Sequence, residues 1–206
     1  MDAAELLAQG AARLGLALDE AAQERFARYQ QLLGEWGARI NLTAVHEPRE
    51  VIIRHFLDSL VVAARLPGAD ALPAPTLVDV GSGAGFPGAV CALARPDLRV
   101  TLCERIGKKA AFLLTLRREL GLRYEVVADD AGALPGGYGV AVARAALQPP
   151  AWLALGAKLV APGGVVVAMT SVREPLPPLP PGTELLRDET YDVGAGPHRL
   201  LLVRRA

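Results

Sequence analysis

Hydrophobic positions in the first third of the chain recur at helical spacing. In "RFARYQQLLGEWGARINL", Phe26, Tyr29, Leu32, Leu33, Trp36 and Ile40 form one apolar stripe, as an amphipathic helix requires. "NLTAVHEP" breaks the pattern, and Pro48 suits the first turn of a new helix. That helix, "REVIIRHFLDSLVVAARL", is apolar over a wide arc and is expected to be well buried. Its polar exceptions Arg54, His55, Asp58 and Ser59 fall on one side. "PGADALPAPT" reads as a linker. The expected organisation is a small helical subdomain over 1–67, a linker over 68–75 and a second domain over 76–206.

From Leu77 onward the pattern changes to short apolar runs alternating with helices. Strands are expected at "TLVDV", "RVTLCE", "YEVVA", "YGVAVA", "GVVVAM" and "HRLLLVRR". Helices are expected around Pro87–Ala94 and Ile106–Leu120, the second closed by Gly121 as its C-cap. Near-continuous apolar strands with intervening helices indicate an α/β fold whose mostly parallel sheet is covered on both faces. "REPLPPLPPG" is too proline-rich for an element and reads as a stiff surface connection.

Composition narrows the function classes. The 206 residues are 51% hydrophobic and 21% charged, enough for a sizeable core. With a formal net charge of zero, no overall field draws the protein to nucleic acid, so any polyanion contact needs a local basic patch. Such a patch runs through Arg105, Lys108, Lys109, Arg117, Arg118 and Arg123; a solvated helix face is the alternative for Arg117 and Arg118. Cys91 and Cys103 lie in apolar segments and read as reduced core thiols. There is no basic-then-apolar leader and no apolar run near the roughly 20 residues of a membrane span, so a soluble, cytoplasmic protein is expected.

The chemistry begins at "LVDVGSGAGFPG". An apolar strand ends at Asp79, and Gly81, Gly83 and Gly85 follow at alternate positions. Strand, glycine turn and helix together place a ligand at the C-terminal edge of a sheet. The spacing G-x-G-x-G is shorter than the dinucleotide pattern G-x-G-x-x-G and leaves less room for a pyrophosphate. It suits a neutral or cationic ligand with Asp79 near its positive part, while Glu104, at the end of the second strand, can accept hydrogen bonds from both ribose hydroxyls. A dinucleotide site and a tight turn without a ligand are the alternatives. The acid–GxGxG–acid pattern resembles class I S-adenosylmethionine methyltransferases, which implies a doubly wound, mostly parallel seven-stranded sheet.

Two acceptor chemistries lack their residues. After the fourth strand there is neither an Asn/Asp-Pro-Pro-aromatic motif for an exocyclic amine nor a cysteine nucleophile for a pyrimidine carbon. Arg144 stands there instead. It is consistent with guanine N7, whose in-plane lone pair attacks a methyl group without first losing a proton. Catalysis is then mostly placement and charge control. An ion pair of Arg144 with Asp79, Asp129 or Asp130 is the structural alternative.

"INLTAV", "RHFLDSL", "VDVGSGAGFPG", "ARPDL", "ERIGKKAAFL" and "ARA" together resemble the 16S ribosomal RNA guanine-N7 methyltransferase family over most of the chain. The resemblance implies methylation of a guanine in the 530 loop of small-subunit rRNA. It implies that Asp79, Gly81, Ser82, Gly83, Gly85, Phe86 and Glu104 hold S-adenosylmethionine, with Asp129 or Asp130 near the adenine. Arg144 is the catalytic candidate, between cofactor and acceptor. Arg54, His55, Lys108, Lys109 and Arg199 would face 16S rRNA. A monomer without a metal or a membrane partner is expected. Three places depart from the family pattern: Met169-Thr170-Ser171, His198-Arg199 and "ADDAGAL". They leave open a methyltransferase for another RNA site or a small molecule, or a non-catalytic cofactor-binding module.

Overall fold

In the computed structural model, which describes residues 2–206, the N-terminal third is helical. Helix α1 (Ala3–Arg13) and helix α2 (Glu20–Gly37) each begin at an aspartate, Asp2 and Asp19, whose side chain accepts from a first-turn backbone N–H. The helix expected from Pro48 onward is three segments in one run. Helix α3 (Pro48–Val51) leads into a π-helical turn over Ile52–Leu57, and helix α4 (Asp58–Arg65) continues it. A π turn inserts an extra residue into the helical repeat, often at functional sites, and this one holds Arg54 and His55.

The rest alternates strands with helices. Strand β1 (Thr76–Val80) leads to α5 (Gly88–Ala94), β2 (Arg99–Cys103) to α6 (Gly107–Leu120), and β3 (Tyr124–Val127) to β4 (Tyr138–Arg144). Helix α7 (Pro149–Leu159) then precedes β5 (Val160–Ser171), β6 (Thr183–Tyr191) and β7 (His198–Arg205). The sheet is seven-stranded in the order β3-β2-β1-β4-β5-β7-β6. The first five strands in that order pair in parallel, and β7 runs antiparallel to both neighbours. Chain order reverses between β1 and β4, and the crevice beyond the carboxyl ends of those strands is where such sheets bind ligands.

Successive strand residues feed opposite cores. Leu77, Leu102, Val140, Val142 and Val167 pack under α1, α2, α4, α5 and α6. Val78, Val80, Ala141, Val166 and Leu201 pack with Trp152 and Leu153 of α7. Helix α7 and strand β6 lie outside the predicted elements. Strand β6 is mostly exposed and charged at the sheet edge, a means of discouraging edge-to-edge pairing. Gly121 closes α6 in the left-handed conformation, as expected. Cys91 and Cys103 are free and buried. Among the described residues no helix is long and apolar enough to cross a membrane.

The helical third presses on the back of the glycine turn. The buried hydroxyl of Tyr29 on α2 donates to the Ala84 carbonyl at 2.6 Å. A Cβ at Gly85 would collide with that hydroxyl oxygen. Tyr29→Phe leaves a buried carbonyl without its donor and is expected to cost about 1–3 kcal/mol of stability. The shift of the urea unfolding midpoint at constant slope measures it. An unchanged midpoint would contradict the contact.

Candidate active site

The carboxyl ends of β1 to β5 converge on two clefts. The first, of about 640 Å³, is lined by Gly81 from β1's end, Cys103 and Glu104 from β2's, Asp129 and Asp130 from β3's, and Arg144–Leu147 from β4's. The second, of about 630 Å³, is lined by Arg144–Pro149, Met169–Ser171 of β5, Tyr191, His198 and Asp58. Arg144–Leu147 is the wall they share. Within it Ala145 has φ of 54°, a left-handed conformation that costs a non-glycine residue about 1 kcal/mol or more.

Glu104 organises the first cleft. It is buried, with one oxygen accepting from the Gly83 N–H at 2.8 Å and the other from the Ile106 N–H at 2.8 Å. The carboxylate thus ties the glycine turn to the second strand. Each oxygen retains a lone pair, which suits the vicinal hydroxyls of a ribose. A Cβ at Gly83 would meet nothing nearer than the Gly81 carbonyl oxygen at 3.8 Å, so the turn is open there. Ile106 and Leu155 add apolar lining, and Asp129 and Asp130 stand opposite as acceptors. The donor set, volume and open turn fit an adenosyl ligand such as S-adenosylmethionine. Among the described residues no cluster of His, Cys, Asp and Glu could hold a metal.

Several expected cofactor residues serve the turn from behind. Asp79 is fully buried; its Oδ2 accepts from the Gly88 N–H at 2.8 Å, and its Oδ1 has no partner. Burial pushes its carboxyl up to about 7, against the hydrogen bond from the Gly88 N–H. It underpins the start of α5 and does not line the cleft. Ser82 is also buried and donates to the Asp79 carbonyl at 2.9 Å. Phe86 is buried between two rings, stacked on Tyr29 at 5.3 Å and on His55 at 4.7 Å. Gly85 lies against Tyr29. Spacing brought these residues to the turn, but side-chain direction took them to its inner face.

Arg144 has a different partner from those expected. Its Nη1 donates to Asp58 Oδ2 at 3.1 Å and to the Arg54 carbonyl at 3.0 Å. Its Nη2 lies 3.2 Å from His55 Nδ1, and its Cζ lies 5.1 Å from the centre of the Phe86 ring. The alternative pairings with Asp79, Asp129 and Asp130 are replaced by one with Asp58, delivered by the π turn. Asp58 is buried; its Oδ1 accepts from the Tyr191 hydroxyl at 2.7 Å, with His198 Nδ1 3.5 Å away. Nothing in the sequence pattern marks Tyr191, which ends an unpredicted strand, or the strained Ala145.

Two expected RNA-facing cations are engaged inside the protein. His55 is half-buried, and desolvation together with the neighbouring Arg144 lowers it to about 4, so it is neutral at neutral pH. Its Nε2 lies 2.7 Å from Thr43 Oγ1 and its Nδ1 lies 3.0 Å from the Arg54 carbonyl oxygen: an Nε2–H tautomer donates to Thr43 and accepts from Arg144, an Nδ1–H tautomer accepts from Thr43 and donates to Arg54. Arg199 is paired with Asp188 at 2.6 Å and donates to the Glu174 carbonyl at 3.0 Å. Arg54 is exposed and paired with Glu50 one turn earlier. Lys108 is exposed, and Lys109 reaches the lip of the first cleft.

Comparison with known proteins agrees with this geometry. The family model described as rRNA small subunit methyltransferase G matches residues 22–174. A protein of Anaeromyxobacter dehalogenans named ribosomal RNA small subunit methyltransferase G is 43% identical over 176 residues, covering 82% of this chain and 80% of that protein. A Burkholderia pseudomallei protein of the same name is 40% identical over 190 residues, covering 87% and 81%. Among solved structures, a mutant of MtNAS superposes with a TM-score of 0.61 at 14% identity, covering 90% of this chain and 74% of that one. Mitomycin 7-O-methyltransferase MmcR gives 0.58 at 22% identity, covering 78% and 56%. These two likenesses establish the class I methyltransferase fold.

Asp79 makes stability depend on pH in a defined direction. Its folded value lies above the ordinary 3.8, so between about pH 4 and 7 the folded state holds a proton that the unfolded state has released. Its contribution is present below about pH 4 and is lost as pH rises through about 7. His55, lowered from 6.5 to about 4, acts oppositely: its contribution is present above about 6.5 and lost on acidification through about 4. Asp79→Asn removes the first and leaves the second. Relative to the unmodified protein, D79N therefore gains stability steadily as pH rises from about 4 to 7 in urea unfolding series. Parallel pH profiles for the two would contradict the assignment.

Proposed function

We propose that this chain, which belongs to the ribosomal RNA small subunit methyltransferase G family, methylates N7 of a guanine in 16S rRNA, specifically in its 530 loop. The observation that carries this reading is the shared wall. A cleft that fits an adenosyl ligand and a second cleft lined by donors and acceptors meet at Arg144–Leu147. S-adenosylmethionine, when bound, supplies a methyl group on a positively charged sulfur.

The chain's own residues do the rest by placement. Glu104 receives the ribose hydroxyls, and Asp129 or Asp130 accepts from an adenine amine. Two of the five N–H donors of Arg144 are committed to Arg54 and Asp58, and one Nη2 hydrogen faces His55 Nδ1. The Nε hydrogen and one Nη2 hydrogen remain for O6 of a guanine, whose N7 is on the same edge. N7 carries no proton, so no general base is required. Arg105, Lys108 and Lys109, beside the first cleft, meet phosphates and make binding salt-sensitive. One chain supplies both clefts, which supports action as a monomer, and the cytoplasm is where a 16S rRNA substrate is met.

The test uses purified protein, radiolabelled S-adenosylmethionine and three acceptors: unmodified small subunits, naked 16S rRNA and small molecules. Label at N7 of the 530-loop guanine is expected. Label on small molecules alone, or at another RNA atom, would overturn the reading. In the same assay Arg144→Ala is expected to lower kcat by about 100-fold or more while cofactor affinity changes less than about threefold. Glu104→Gln does the reverse, weakening cofactor binding by about 10-fold or more in calorimetry as a charged acceptor is lost.

A further inference from the structure

We infer that Asp58 is a positioning residue for methyl transfer: it fixes the Arg144 guanidinium in the wall between the two clefts. The inference rests on the role of Arg144 proposed above and adds a residue from outside the acid–GxGxG–acid pattern.

Asp58 opens helix α4, directly after the π turn, and is 4% exposed. Replacing a buried ion pair by apolar packing of equal volume is often neutral or stabilising, so stability alone gives little reason for a carboxylate here. What it supplies is direction. Two donors hold it, Arg144 from β4 on Oδ2 at 3.1 Å and Tyr191 from β6 on Oδ1 at 2.7 Å, and His198 Nδ1 of β7, which has no hydrogen-bond partner, lies 3.5 Å from Oδ1. Both of its oxygens are therefore held, which fixes the carboxylate before it fixes anything else. Of the three groups that face Arg144, the Arg54 carbonyl and the His55 ring are neutral, and Asp58 carries the charge. A charge-assisted contact of this kind is stronger and more directional than the other two. Phe86 backs the guanidinium at 5.1 Å. Without Asp58, the guanidinium keeps only neutral contacts and a flexible stem next to an open cleft. Its remaining donors then lose their aim at the acceptor.

The test is a double-mutant cycle on transfer to small subunits with saturating cofactor. Asp58→Asn keeps the volume and removes the charge. It is expected to lower kcat by about 10- to 100-fold, the usual effect of misplacing a reacting group by about an ångström. Cofactor affinity should stay within about threefold of the unmodified protein. In an R144A background the same D58N change should have no further effect, because its target is gone. A purely structural role predicts instead the same loss in both backgrounds, with cofactor affinity falling alongside. That result would overturn the inference, as would D58N retaining full kcat while R144A loses it. Full activity in R144A itself would instead refute the proposed role of Arg144. If D58N does not fold, as judged by circular dichroism and cofactor binding, Asp58→Glu takes its place in the cycle. D58E keeps the charge but displaces it by one methylene, and the same two outcomes decide.

Discussion

Phe86 is the residue against which both halves of the site lean. It belongs to the glycine turn, yet its ring is held between Tyr29 of α2 and His55 of the π turn, and Arg144 of β4 lies over it. The turn that faces the cofactor cleft, the helices that back it and the arginine that divides the clefts therefore share one aromatic contact. The turn cannot shift outward without unstacking Phe86, nor inward without meeting the Tyr29 hydroxyl. This is how a glycine-rich segment, the least constrained kind of backbone, is made rigid enough to hold a ligand.

Charge is handled with similar locality. The chain is neutral overall, and many of its arginines are bound to acids within the fold. Arg28 pairs with Glu35 and Glu119, Arg65 with Glu189, Arg95 with Asp97 and Arg199 with Asp188. Arg28–Glu119, Arg65–Glu189 and Arg199–Asp188 join separate elements, and all of these paired arginines offer little to a polyanion. The basic residues from Arg105 to Lys109 lie at the start of α6, beside the cofactor cleft. A neutral protein can thus present a positive lip beside the first cleft, with attraction that acts over only about a Debye length.

Much of the fold is legible in the sequence because burial imposes a period. "TLVDV" and "HRLLLVRR" coincide with β1 and β7, and Gly121 ends α6 as its left-handed residue. Strand β6 is illegible for the converse reason: an exposed edge strand such as "TELLRDETY" has no apolar alternation to display. Helix α7 is masked by its two leading prolines and by an apolar surface too broad for a clear stripe. At the site, Glu104 is readable because an acid ending an apolar strand has few places to go. The inward turn of Asp79, Ser82 and Phe86 is not, since spacing along a turn does not tell its inner face from its outer. Nor is the pairing of Arg144 with Asp58, which join across 86 residues through an irregular helical turn.

The contact between Tyr29 and Ala84 spans 55 residues of sequence. A ribosome delivers the chain from the N-terminus, so α2 is complete well before the carbonyl it must hold has been made. Until then its apolar stripe, with Phe26, Tyr29 and Leu33, has only the neighbouring helices to cover it. The stripe shares one continuous core with Leu77, Phe86 and Leu113, so helices and turn complete each other: the turn takes its shape from Tyr29, and the stripe is fully covered only once the turn and the strands behind it have been made.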